Sequence, residues 1–204
     1  MTYLTSNQLK QYEDEGFVSP INIFSKEKAK EIRNEIELIE KIMPEELEKS
    51  GRYNAHLISP LLDEVTHNSK ILDAVESLIG KNILVCGTTL FIKNPYEKGF
   101  VSYHQDAKYI GLEPHNWVTA WVAITDSNEK NGCMRMWSGS HKDDLKDHNQ
   151  MFNEGNLLTR GQTVNNVPKE KTTPLVLEAG QMSLHHPKVV HGSDLNKSDD
   201  RRIG

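Results

Sequence analysis

Between Lys26 and Met43 apolar side chains recur three or four residues apart, at Ala29, Ile32, Ile36, Ile39 and Met43, and most positions between them are charged. That spacing predicts an amphipathic helix with one buried stripe and a solvated face, opened by Ser25 as its cap. Two more helices follow from the same reading. Residues 5–16 have Thr5 or Ser6 as a possible N-cap and Gly16 as a stop, and residues 69–79 carry Ile71, Leu72, Val75, Leu78 and Ile79 as a core face, with Gly80 as the stop.

After Gly80 the period changes. Segments 83–92, 118–125, 133–137, 174–178 and 181–186 are short, β-branched or alternating, and are separated by turn residues, the pattern of strands. Helices followed by antiparallel strands predict an α+β fold, with the helices packed on one face of a β-sandwich or barrel. One domain over residues 1–204 is expected, with an N-terminal helical region over 1–80 and a β core over 81–204. The polar, weakly patterned stretch 142–171 is expected to be a long loop that covers or shapes a site.

Composition narrows the function. The 204 residues carry a net charge of −5, with Lys and Arg scattered, which argues against a nucleic-acid surface. No apolar run reaches the roughly 18 residues of a membrane span, and no basic-then-apolar leader follows Met1. A cytoplasmic location is therefore expected. Cys86 and Cys133 are too few for a disulfide scaffold, and both are expected to be buried free thiols.

The stretch 101-VSYHQDAKYI-110 contains the candidate chemistry. On an extended strand His104 and Asp106 would project to the same side, and His185, His186 and His191 follow as possible third ligands. Two imidazoles and one carboxylate suit non-haem Fe(II) with open positions, and disfavour a thiolate-type zinc site. His185 and His186 precede Pro187 and read as loop residues, with His186 the weaker alternative ligand. His56, His67, His115 and His141 read as locally bonded or solvent-facing.

Several stretches together resemble the phytanoyl-CoA dioxygenase family of Fe(II)/2-oxoglutarate oxygenases, in the branch that includes the non-haem iron halogenases. They are 52-RYNAHL-57, 89-TLFIKNP-95, 103-YHQD-106, 119-TAWVAIT-125, 131-NGCMRMWSGSHK-142, 157-LLTRGQ-162, 179-AGQMSLHH-186 and 191-HGSDLNKSDDRR-202. The resemblance implies a double-stranded β-helix (jelly-roll, cupin-like) core. It makes His104, Asp106 and His191 the iron ligands. Arg202 becomes the arginine that grips the distal carboxylate of 2-oxoglutarate, with Ser193 helping, Trp121 lining the co-substrate pocket and Asn54 facing it. Guanidinium presents paired donors to a carboxylate. A slip of one residue would substitute Arg201, and Trp121 also fits simple core packing.

The halogenases of that branch replace the H-x-D carboxylate with Ala or Gly. Asp106 keeps it, so the resemblance implies hydroxylation of an unactivated C–H, with O2 consumed and 2-oxoglutarate converted to succinate and CO2. Ser138 stands where the family usually has Pro, and the chain is expected to lack a C-terminal strand that relatives use to close the jelly roll. A cupin-like metalloenzyme that does not use 2-oxoglutarate, and a non-catalytic binding module, remain the alternatives. The implied partner is a small-molecule substrate, free or tethered to CoA or a carrier. The sequence leaves the substrate and the oligomeric state open.

Overall fold

Three helices fall where their apolar periods place them. A computed structural model describes residues 3–45, 52–158 and 160–204; Met1, and Thr159 of the 157–162 stretch, lie outside them. Helix α1 (Ser6–Glu15) begins at Thr5, whose side chain and that of Gln8 form a reciprocal capping box, and ends at Gly16 with φ 85°. Helix α2 (Lys26–Ile42) is capped by Ser25 and buries Ala29, Ile32, Ile36 and Ile39. A short helix α3 (Pro60–Thr66), capped by Ser59, was not predicted. Helix α4 (Ser69–Ile79) buries Ile71, Ala74 and Val75, while Leu72, Leu78 and Ile79 are only half-buried.

The N-terminal region is not purely helical. Strand β1 (Phe17–Asn22) pairs antiparallel with β9 (Gln181–His185), and β4 (Thr119–Val122) pairs with the other side of β9. A second sheet orders β3 (Val101–His104), β10 (His191–Ser193), β5 (Met134–Trp137) and β8 (Thr172–Pro174). The pair β2 (Ile92–Lys93) and β11 (Arg202–Ile203) extends past the end of β4, where the amides of Ile124 and Thr125 both donate to the Ile203 carbonyl.

Alternation along the strands separates two kinds of core. Met182 and Leu184 of β9 meet Ile71, Ala74 and Val75 of α4, and α2 packs on Ile92, Ile124 and Ile203. Both clusters lie on the helical side. On the opposite face, Trp121 and Ala123 meet Met134, Met136, Leu175 and Val189 between the two sheets.

Four strand expectations need correction. Of 83–92 only Ile92 joins a strand, because a ladder forms only where β11 runs alongside; Thr89 makes an isolated bridge to Tyr53, and residues 84–87 are exposed, Cys86 among them. Cys133 is buried as expected. The 174–178 strand lies earlier, at 172–174, leaving Leu177 in an isolated bridge with Ser127. The stretch 142–171 holds its own antiparallel pair, β6 (His148–Gln150) and β7 (Gln162–Val164). His185 is a strand residue and does not lie in a loop.

Candidate metal and co-substrate site

His104 and His191 stand directly opposite each other in the β3–β10 ladder, which brings their rings to a centroid separation of 4.2 Å. Asp106 reaches the same place by a different route from the one its spacing suggested. The strand ends at His104, and Asp106 has helical backbone (φ −57°, ψ −34°) at the start of the short helix α5 (Ala107–Ile110), with no capping bond from its side chain. The turn out of the strand, not strand alternation, aims the carboxylate back at the imidazoles. One ligand atom from each of His104, Asp106 and His191 lies within 4.8 Å of the others.

Each imidazole is oriented by a backbone carbonyl on its far nitrogen. His104 Nδ1 lies 2.9 Å from the Ser102 oxygen, and His191 Nδ1 lies 3.1 Å from the Val189 oxygen. A proton on Nδ1 leaves both Nε2 atoms as lone-pair donors facing Asp106 Oδ1, at 3.2 and 3.7 Å. Burial, joined by the neighbouring His104, pushes His191 down to about 3, with Asp106 opposing. It is therefore neutral at ordinary pH, the form that a metal ligand requires. Burial alone would raise the Asp106 carboxyl, but His191, His104 and His185 outweigh it and hold Asp106 well below the usual carboxylate range.

A second polar group lies along β2 and β11. Arg202 is almost fully buried, and its Nε and Nη2 have no hydrogen-bond partner. Its guanidinium sits 5.4 Å from the Trp121 ring centroid. Lys93, its cross-strand partner, donates to Ser193 Oγ at 2.6 Å and to the Asp194 carbonyl. Burial, with Arg202 adding to it, pushes Lys93 down to about 6. Burial likewise lowers Arg202 to about 10. Neither Lys93 nor Arg202 has an ion-pair partner among the described residues, and a buried guanidinium with unused donors calls for an anion. A dicarboxylate fits that demand.

Arg201 is excluded from this role. It faces outward and grips both oxygens of Glu40 on α2 at 2.8 Å each. Asn196, five residues after His191, is buried and donates to the carbonyls of Lys93 and Asp200, so the turn that delivers Arg202 is tied to β2.

The other predicted residues separate. Trp121 serves both readings, packing in the inter-sheet core and walling the cleft. Asn54 has φ 59° and accepts from the Thr88 amide, also at the cleft. His186 points elsewhere, its ring 5.3 Å from that of His141. Sequence reading missed Lys93 and Thr119, and it placed His185, one of its candidate ligands, in a loop. Lys93 was visible as a charged residue inside the apolar run 89-TLFIKNP-95.

A cleft of about 610 Å³ opens onto His104 and Asp106. Its walls come from α2, α3, α4, the 83–91 segment, Trp121, Tyr109 and Leu157 and Leu158 of the long 142–171 stretch. Among the described residues no helix is long and apolar enough to cross a membrane.

Mixed helix-and-sheet architecture and two histidines plus one carboxylate at the end of a cleft define a protein with the donor set of non-haem iron oxygenases. The chain belongs to the phytanoyl-CoA dioxygenase family, which it matches over residues 12–204. Peroxisomal phytanoyl-CoA dioxygenase of Bos taurus is 28% identical over 223 residues, covering 98% of this chain and 66% of the relative. A probable alpha-ketoglutarate-dependent hypophosphite dioxygenase of Stutzerimonas stutzeri is 25% identical over 216 residues, covering 97% of this chain and 75% of that one. Among solved structures, the non-heme monooxygenase ThoJ superposes with a TM-score of 0.81 at 30% identity, over 95% of this chain and 73% of its own. This chain spans just under two thirds of the bovine relative's length.

Proposed function

We propose that this chain is an Fe(II)- and 2-oxoglutarate-dependent oxygenase that hydroxylates an unactivated C–H bond of a small organic substrate. The observation that carries this reading is the convergence of His104, Asp106 and His191 within 4.8 Å, in a chain of this family. The two sheets around them are read as the two halves of a jelly roll, and the matched residues as one oxygenase domain.

In this reading the two imidazole Nε2 atoms and Asp106 Oδ1 hold iron on one side. Arg202, aided by Lys93 and Ser193, holds the far carboxylate of 2-oxoglutarate. The bound pair supplies the oxidation: dioxygen is reduced as 2-oxoglutarate is decarboxylated to succinate and CO2, and one oxygen atom passes to the substrate. The protein contributes orientation, charge and exclusion of water. Trp121 closes the co-substrate side, and the mostly aliphatic cleft walls present the substrate to Asp106 and His104.

Hydroxylation is favoured over halogenation because the Asp106 carboxylate occupies the position that a halide would need. The unused donors of Arg202 favour 2-oxoglutarate over a cupin-type reaction without it. The bovine relative's name carries a CoA ester, and an acyl portion matches the aliphatic walls.

The test is anaerobic addition of Fe(II) and 2-oxoglutarate to the purified chain. A weak visible charge-transfer band is expected, absent in the Asp106→Ala, His191→Ala double variant, followed by succinate release on admitting oxygen. No band in the wild-type chain would sink the reading.

A further inference from the structure

Asp106 is gripped on its other oxygen as well. Thr119 and His185 stand directly opposite each other in the β4–β9 ladder, as His104 and His191 do in β3–β10. The Thr119 hydroxyl donates to Asp106 Oδ2 at 2.8 Å, and His185 Nε2 lies 3.3 Å from the same atom. Oδ1 is the oxygen that faces His104 and His191. One cross-strand pair from each sheet thus closes on one carboxylate, and each pair takes a different oxygen.

We propose that Thr119 and His185 are positioning residues that fix Asp106 as a single-oxygen metal ligand. The inference rests on the iron reading above and deepens it. A carboxylate with one free oxygen can rotate and chelate a metal through both, taking a position that the co-substrate or dioxygen needs. Here Oδ2 is committed to two donors, so Oδ1 alone is presented. His185 is almost fully buried, and its Nδ1 has no hydrogen-bond partner, so Nε2 is its one polar contact and bears the proton given to Oδ2. A histidine kept only for packing has no need to aim that nitrogen at a carboxylate. Outer partners that orient a ligand in this way are worth about 10–100-fold in metal affinity.

The test measures metal affinity, not turnover. Mn(II) is titrated into the metal-free chain, with free Mn(II) read by electron paramagnetic resonance. Thr119→Val, which keeps the shape and removes the donor, and His185→Phe should each weaken binding about tenfold or more. His185→Gln, which restores an amide donor, should recover most of the loss. Wild-type affinity in both Thr119→Val and His185→Phe overturns the clamp. A His185→Gln variant as weak as His185→Phe reduces His185 to packing and overturns its role. If His185→Phe fails to fold by circular dichroism, Thr119→Val decides alone. Absence of Mn(II) and Fe(II) binding by the wild-type chain, or its survival in Asp106→Ala, overturns the iron site itself.

Discussion

Lys93 and Arg202 face each other across the β2–β11 ladder, both buried and with no carboxylate paired to either among the described residues, so that Arg202 keeps its charge while Lys93 is pushed towards its neutral form. Placing like charges together away from water costs free energy unless an anion joins them. In the proposed function the pair is the electrostatic half of the site, and the two imidazoles and Asp106 are the metal half. Their separation along the fold lets each half be tested alone.

Replacing Arg202 by Leu removes a charge-assisted, two-pronged contact of about 1.5–3 kcal/mol. The affinity for 2-oxoglutarate should fall about 10–100-fold, while Mn(II) affinity stays near wild type. Because the ligand-free chain also loses an unpaired buried charge, its Tm should rise by a few degrees. Calorimetric titration and a thermal melt check both arms; a lower Tm together with unchanged 2-oxoglutarate binding contradicts the assignment.

Arg201 should behave in the opposite way. Its clamp on Glu40 is partly solvated, so Glu40→Gln should cost less than about 1 kcal/mol of stability and leave 2-oxoglutarate affinity within a factor of about two. Chemical denaturation and the same titration decide between the adjacent arginines.

Lys93, pushed down to about 6 by burial and by Arg202, is mostly neutral at pH 7.5 in the free chain. A bound dicarboxylate beside it favours the charged form. Binding of 2-oxoglutarate should then take up a fraction of a proton, approaching one. Calorimetry in two buffers of different ionisation enthalpy measures this uptake directly, and Lys93→Met should abolish it.

His191 binds no proton in the folded chain until the pH falls to about 3, whereas the unfolded imidazole protonates near 6.5. Its contribution to stability is therefore intact above about pH 6.5 and is lost as the pH falls towards 3, by up to about 1.4 kcal/mol per pH unit. His186, lowered to about 4 mainly by burial, acts in the same direction over a narrower window. The metal-free chain should lose Tm steadily between pH 6.5 and 4. His191→Asn should flatten that slope more than His186→Asn does.

Local signals were enough for the helices. Thr5, Ser25 and Gly16 mark ends that the backbone adopts, and the Ile32–Ile36–Ile39 stripe is buried as its period requires. Such features depend on neighbours three or four residues away, so they are written in the chain itself. The H-x-D and His-Gly-Ser stretches also named the three residues that converge, because the resemblance holds residue by residue. What pairs with what was another matter. β1 lay hidden in a stretch read as helical, and 83–91 forms almost no ladder, because a strand exists only where a partner runs beside it. Lys93 opposite Arg202, and Thr119 opposite His185, are registers between segments about a hundred and about sixty-six residues apart. No spacing along the chain encodes them. The sequence supplied the donors of the site, and the pairing of strands decided which oxygen of Asp106 each one meets.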